Sequence, residues 1–432
     1  MAAAAISPVY TISVQDVSRL CLTRALEHGR LTISPCVGGS IDRARYHGDV
    51  YSDKAPGMSV LAIPAAEAVR LPAPRRWTFE GDPRVWAVRV ATSGIAFLLL
   101  AFVFGRVSEG LAPGLGAPAL VTLALGTMVG ALAATTFDHV TAGALAFGAF
   151  LLAWRDRWEL AGVAAGCAVA LEYQAGAIGL VLAAYVALRG LRPLLGFALG
   201  ALPPLVLLGA YDWAAFGSPF HLPYRYVDNF YAKQQSSGFF GIHAPRTHAV
   251  HEVFVGDKGL LVVSPVLLAA AAGLVLLARR HPAEAAVCAA VTAIALAANC
   301  GYFLPYGGIS PGPRFVVPAL PFLGLGLAPA LARARTAVTV LAAASIVSAT
   351  AVMLTWAVAD KPFRGTIWGE LAHLARERGG SRLVHELAKN VIVWAGPNRL
   401  AAAAAVSACA AAAFVLALLT AAGESAPSAP GA

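Results

Sequence analysis

Apolar stretches of about 20 residues, each closed by a short polar turn, repeat along most of this chain of 432 residues. A helix of that length crosses a hydrocarbon core roughly 30 Å thick. The pattern predicts eleven spans, at about 86–106, 114–135, 137–154, 158–172, 176–189, 193–212, 259–278, 282–304, 315–332, 336–357 and 398–422. Met58–Leu71 is apolar but short, which predicts an interfacial or re-entrant helix. Earlier, Val14, Val17, Leu20, Cys21 and Leu26 recur at helical spacing, predicting an amphipathic helix on the membrane surface. The Ser/Pro/Ala/Gly-rich end, 423–432, reads as a disordered tail.

Composition agrees: 58% of residues are hydrophobic and 13% charged, so a soluble globular class is excluded in favour of an all-α polytopic membrane protein. The net charge of +9 comes without any basic run interleaved with aromatics, so nucleic acid is not an expected partner. The charges alternate along the chain. One set of turns holds Arg106, Arg155 with Arg157, Arg189 with Arg192, Arg279 with Arg280, and Arg333 with Arg335, which predicts a cytoplasmic location. The other set is then extracytoplasmic: the first loop 1–57, the turns at 136–139 and 173–175, and the loops 213–258, 305–314 and 358–397. All five lysines (Lys54, Lys233, Lys258, Lys361 and Lys389) fall in that second set. The organisation predicted is a first loop 1–57, a membrane core 58–357 with outer loop 213–258, a loop 358–397, a last span 398–422 and the tail.

The cysteines lack metal-binding spacing, and His243, His248 and His251 lack zinc spacing, so no metal or other cofactor is indicated. Cys167, Cys288, Cys300 and Cys409 lie in apolar stretches, as small core residues do. Cys21 and Cys36 share one polar segment and suit a disulfide if that segment faces an oxidising compartment.

The chemically capable residues gather on the outer set of turns. Asp16 opens the first-loop helix, where it is either a reactive acid or the acid of a capping box with Ser13. Tyr51, Asp53 and Lys54 stand in a polar turn entering the Met58–Pro64 stretch, where a lysine either snorkels to the interface or holds a phosphate at the headgroup level. Asp138 and His139 lie in a turn between close spans, where an acid either caps the next helix or does chemistry. Glu172 sits between two short spans. Arg314 ends a Gly/Pro loop, placed for a phosphate or as an interfacial anchor. Loop 213–258 is rich in aromatics, which form membrane belts and also stack on sugars.

That order of outer acid, amphipathic helix, Tyr-x-x-Lys with a following Pro, Asp turn and late Gly/Pro/Arg loop resembles the polyprenyl-phosphate-sugar-dependent glycosyltransferases of the GT-C fold. The relatives brought to mind are the bacterial lipid A aminoarabinose transferases and the protein O-mannosyltransferases. The resemblance implies Asp16 as the acid that acts as base or positions the acceptor, Lys54 with Asp53 at the donor phosphate, and Asp138 lining the cavity. It covers roughly residues 10–330. It is imperfect: Asp16-Val17 stands where relatives have Asp-Glu, Ala55 separates Lys54 from Pro56, and the span that usually precedes the first loop is not in the sequence.

The resulting expectation is a cell-membrane (plasma or inner membrane) enzyme of eleven spans. It would move a hexosyl or pentosyl sugar from a polyprenyl-phosphate donor to a glycan, lipid or protein acceptor on the extracytoplasmic side. Catalysis falls to Asp16 and Asp138, and substrate binding to Lys54, Asp53, Arg314, His139, Glu172 and Tyr51. The competing readings are a lipid or solute transporter with ion-coupling acids, and a non-catalytic relative. No internal repeat of the kind transporters carry is found in the sequence, which favours the enzyme.

Overall fold

The computed structural model describes residues 12–34, 36, 42–72, 82–133, 135–308, 310–355 and 365–382. The predicted last span 398–422, the tail 423–432, Cys409 and most of loop 358–397 lie outside the described residues. What is described is almost wholly helical, and its one sheet is a hairpin of β1, Ala44–Tyr46, and β2, Asp49–Tyr51. His47 and Gly48 close that hairpin with positive φ, +50° and +92°, the backbone hand that a two-residue hairpin turn requires.

Among the described residues, four helices are long and apolar enough to cross a membrane: Pro83–Leu111, Leu191–Phe216, Pro282–Gly301 and Arg335–Val352. Counting each bent pair as one span raises this to six, and five shorter apolar helices complete the bundle. The chain is therefore an all-α, multi-pass membrane protein. The ten predicted spans that precede 398–422 correspond to these helices within the described residues, but several are broken. The helix predicted at 259–278 bends by 85° between Thr247–Val263 and Leu267–Leu277. Pro265 stands in that break, where it has no N–H to continue the ladder. The span predicted at 315–332 bends by 52° between Arg314–Gly324 and Leu327–Arg333. Gly326 stands at that bend because a Cβ there would lie 1.9 Å from the carbonyl oxygen of Ala270. The span predicted at 114–135 splits at Gly126 and Thr127 into Gly116–Leu125 and Met128–Leu132.

The first-loop helix α1, Val14–Glu27, forms as the sequence predicts, with Ser13 and Asp16 making a complete capping box. Its surroundings differ from the expectation of an amphipathic surface helix, because its polar residues are buried too. Gln15, Asp16, Ser18, Arg19 and Thr23 are all enclosed, since α1 packs on α2, Gly57–Ala68, and on the 135–138 turn. Each of these side chains makes at least one hydrogen bond: Ser18 bonds Ser52 (2.8 Å), and Thr23 donates to the Ser59 carbonyl (3.1 Å). A disulfide joins Cys21 of α1 to Cys36, their Cα atoms 5.6 Å apart. Cys167, Cys288 and Cys300 are free, and the last two are buried.

Five of the outer-set segments, all but 358–397, contribute to one cavity. In the other set, Arg189 lies 3.6 Å from both Asp156 and Glu284, so those turns meet one another instead.

Candidate functional site

A cavity of about 280 Å³ is lined by segments far apart in sequence: Ser13, Val14, Gln15 and Arg19, Asp42, Asp53–Lys54, Phe137–His139, Glu172–Gln174, and parts of 222–242 and 302–315. Six of the residues singled out from sequence line it: Lys54, Asp53, Asp138, His139, Glu172 and Arg314. Asp16 and Tyr51 do not. Tyr51 is buried against Phe216, ring centroids 5.2 Å apart, and supports the hairpin behind the cavity.

Asp16 is fully buried, and both its oxygens are engaged. One accepts from the Ser13 amide and hydroxyl, each at 2.8 Å, and pairs with Arg89 at 3.1 Å. The other accepts from the Thr136 amide at 3.0 Å and from the Thr136 hydroxyl. Burial alone would raise this carboxyl, but Arg89 and the hydrogen bonds outweigh it and hold it below the usual aspartate value. In this geometry Asp16 ties α1 to the helix Pro83–Arg89 and to the 135–138 turn.

On the cavity wall, Arg19 donates to Gln15 (2.8 Å) and pairs with Asp138, both partners almost wholly enclosed. Lys54 bridges two carboxylates, Asp53 at 2.9 Å and Asp42 at 3.2 Å. Burial and the neighbouring Asp42 push the Asp53 carboxyl up to about 6, against the pull of Lys54. Burial would lower Lys54, yet Asp42 and Asp53 raise it above its ordinary value, so it stays charged. The second oxygen of Asp53, Oδ1, is buried with no hydrogen-bond partner. Beside these, His139 Nδ1 lies 3.0 Å from Glu172 and 3.5 Å from Asp138. The His139 ring meets Phe137 and Phe315 edge to face. Arg314 stacks over the same two phenyl rings, 5.3 Å from each centroid. Its loop passes close to it: Gly307, φ +78°, leaves room where a Cβ would lie 2.8 Å from the Arg314 Nε.

The remaining wall is aromatic and amide-rich, with Tyr224, Phe239 and Phe240 from the 213–258 loop and Tyr302, which donates to Gln235 at 3.0 Å. Arg19 and Asp42 were not singled out from sequence. For Arg19 a signal existed, since Gln15, Arg19 and Thr23 form a polar stripe at four-residue spacing opposite the apolar one. For Asp42 there was none, because only the fold brings it to Lys54.

An all-helical, multi-pass bundle with the outer-set loops folded over one charged cavity is a GT-C-like membrane architecture, as the sequence resemblance implied. Among the solved structures it is similar to are two of ArnT from Cupriavidus metallidurans. The form bound to undecaprenyl phosphate matches with a TM-score of 0.56, over 96% of this chain and 74% of that one, at 16% identity. The apo form matches with a TM-score of 0.51, at the same identity and coverage. No family model and no curated protein matches the sequence.

Proposed function

We propose that the chain is a membrane glycosyltransferase that takes a sugar from a polyprenyl-phosphate donor and passes it to an acceptor hydroxyl or amine at this cavity. The proposal includes the hexosyl or pentosyl nature of the sugar, an extracytoplasmic site and a cell-membrane location. One observation carries it. Buried cations and acids share one cavity, in a fold whose solved example binds undecaprenyl phosphate. A lipid phosphate needs charge-assisted donors at the edge of an apolar bundle, and Lys54 and Arg314, which both line the cavity, can supply them. As the phosphate leaves the sugar, the same cations stabilise its growing charge.

The base in this proposal is Asp53 rather than Asp16. Asp16 has both oxygens committed and does not line the cavity, whereas Asp53 lines it and keeps Oδ1 free. A carboxyl near 6 is mostly ionised at neutral pH yet is a stronger base than an ordinary aspartate. Asp138 fixes Arg19 in the wall, and the aromatic side offers faces for sugar rings.

The test measures binding of undecaprenyl phosphate to the purified chain in detergent, and transfer from a panel of polyprenyl-phosphate sugars. Lys54→Ala and Arg314→Ala should each weaken lipid binding about tenfold or more, as loss of a charge-assisted bond of roughly 1.5–3 kcal/mol requires. Asp53→Asn should bind lipid while transfer falls about a hundredfold or more. Unchanged lipid binding in both cation variants would remove the phosphate from this cavity.

A further inference from the structure

We propose that Asp138, His139 and Glu172 form a divalent-cation site in the cavity wall. One ligand atom from each, an imidazole nitrogen and two carboxylate oxygens, lies within 4.8 Å of the others. All three side chains are at least nine-tenths buried, at 4%, 3% and 4% exposure. The second observation is that, apart from the Asp138 Oδ2 held by Arg19, their side-chain polar atoms make no hydrogen bond. Asp138 Oδ1, both oxygens of Glu172 and both ring nitrogens of His139 are enclosed without a hydrogen-bond partner. Five enclosed polar atoms in one cluster are costly unless a cation gathers them.

Arg19 is the alternative cation, but it reaches Asp138 through the other oxygen, Oδ2, and leaves Oδ1 turned toward His139. The donor set selects the metal. One imidazole with two carboxylates suits Zn²⁺ or Mn²⁺, whereas Ca²⁺ takes six to eight oxygens. Three protein ligands leave at least one coordination position, and all three residues line the cavity, so that position opens onto it. With Arg19 cancelling one carboxylate, a divalent ion leaves the loaded site with a single net positive charge. On the reading of the cavity as a donor site, that charge faces the lipid phosphate. The metal measurement itself requires no donor and no transfer.

The competing arrangement is a protonated His139 shared between the two carboxylates, which needs no metal. To separate the two, the full chain is purified with its affinity tag removed, stripped with EDTA, and dialysed against Zn²⁺ or Mn²⁺. Metal content is then read by mass spectrometry, and Mn²⁺ coordination by electron paramagnetic resonance with no lipid or sugar present. The expected result is about one ion per chain. It should be lost, or its affinity weakened at least tenfold, in His139→Gln and Glu172→Gln, and kept in His248→Ala with His251→Ala. Because the wild-type protein is measured first, poor folding of a variant cannot shelter the proposal. No retained ion in the wild type overturns it in favour of the protonated imidazole. An ion that survives both site substitutions, or that is lost with His248 and His251, also overturns it.

Discussion

Replacing Asp16 by Asn separates an architectural acid from a reactive one. On sequence grounds alone an amide should cap α1 nearly as well as the acid, at little cost in stability. The structure gives a different magnitude. One Asp16 oxygen receives Ser13 and Arg89, and the other receives the Thr136 amide and hydroxyl. Asparagine carries one oxygen and one NH2 group, so in either orientation a donor faces a donor at about 3 Å. It also takes the carboxylate from a guanidinium that is itself only 2% exposed. Removing one partner of a buried ion pair costs about 3–5 kcal/mol. Asp16→Asn should therefore unfold at a clearly lower temperature in detergent, followed by tryptophan fluorescence and by loss of the monodisperse peak after heating. Arg89→Met should do the same. The double variant should lose clearly less than the sum of the two single losses, because neither charge is then buried without the other. An Asp16→Asn protein as heat-resistant as the wild type, or a double variant whose losses simply add, would refute this account of the pair.

Two further outcomes follow from the first loop. Cys36→Ser opens a bridge between residues 15 apart in sequence; a closure of that size is worth roughly 3 kcal/mol, so the variant should lose heat resistance, and a linked peptide should appear only in non-reduced digests of the wild type. For Asp53 the sign runs opposite to that of an ordinary salt-bridged acid. Its folded pKa, about 6, exceeds the unfolded value, so the protein takes up a proton on folding and loses stability as pH rises from about 4 to 6. Asp53→Asn should flatten that part of the stability–pH curve, and a curve unchanged by the substitution would contradict the assignment.

Much of the cavity could be read from the chain because charge is expensive in apolar sequence. Lys54, Asp53, Asp138, His139, Glu172 and Arg314 stood out on their own, and the structure gathers all six around one space. Partnerships were not legible in the same way. Arg89 falls near the start of a predicted span, and nothing local tells that it will meet Asp16. Arg19 reads as the polar side of a surface helix until its contact with Asp138 makes it interior. Helix existence was likewise readable from period and length, whereas the 85° and 52° bends depend on which neighbour crosses close by, as Ala270 does at Gly326. Tyr51 shows the converse: its place in a motif suggested a role at the phosphate, and its ring instead fills the apolar space against Phe216.

The pairing of Arg19 with Asp138 across 119 residues also sets an order of events during synthesis. At roughly 5–20 residues per second, about 6–24 s pass between emergence of the arginine and emergence of the aspartate that will hold it. The bridge between Cys21 and Cys36, only 15 residues apart, needs no such wait and can close while the rest of the chain is still being made. In the interval Arg19 waits for its acid partner on the cavity wall, although Arg89 has already been made and can meet Asp16. The first-loop helix thus cannot take its final place until the 135–138 turn has been made, while most of the bundle is still to come.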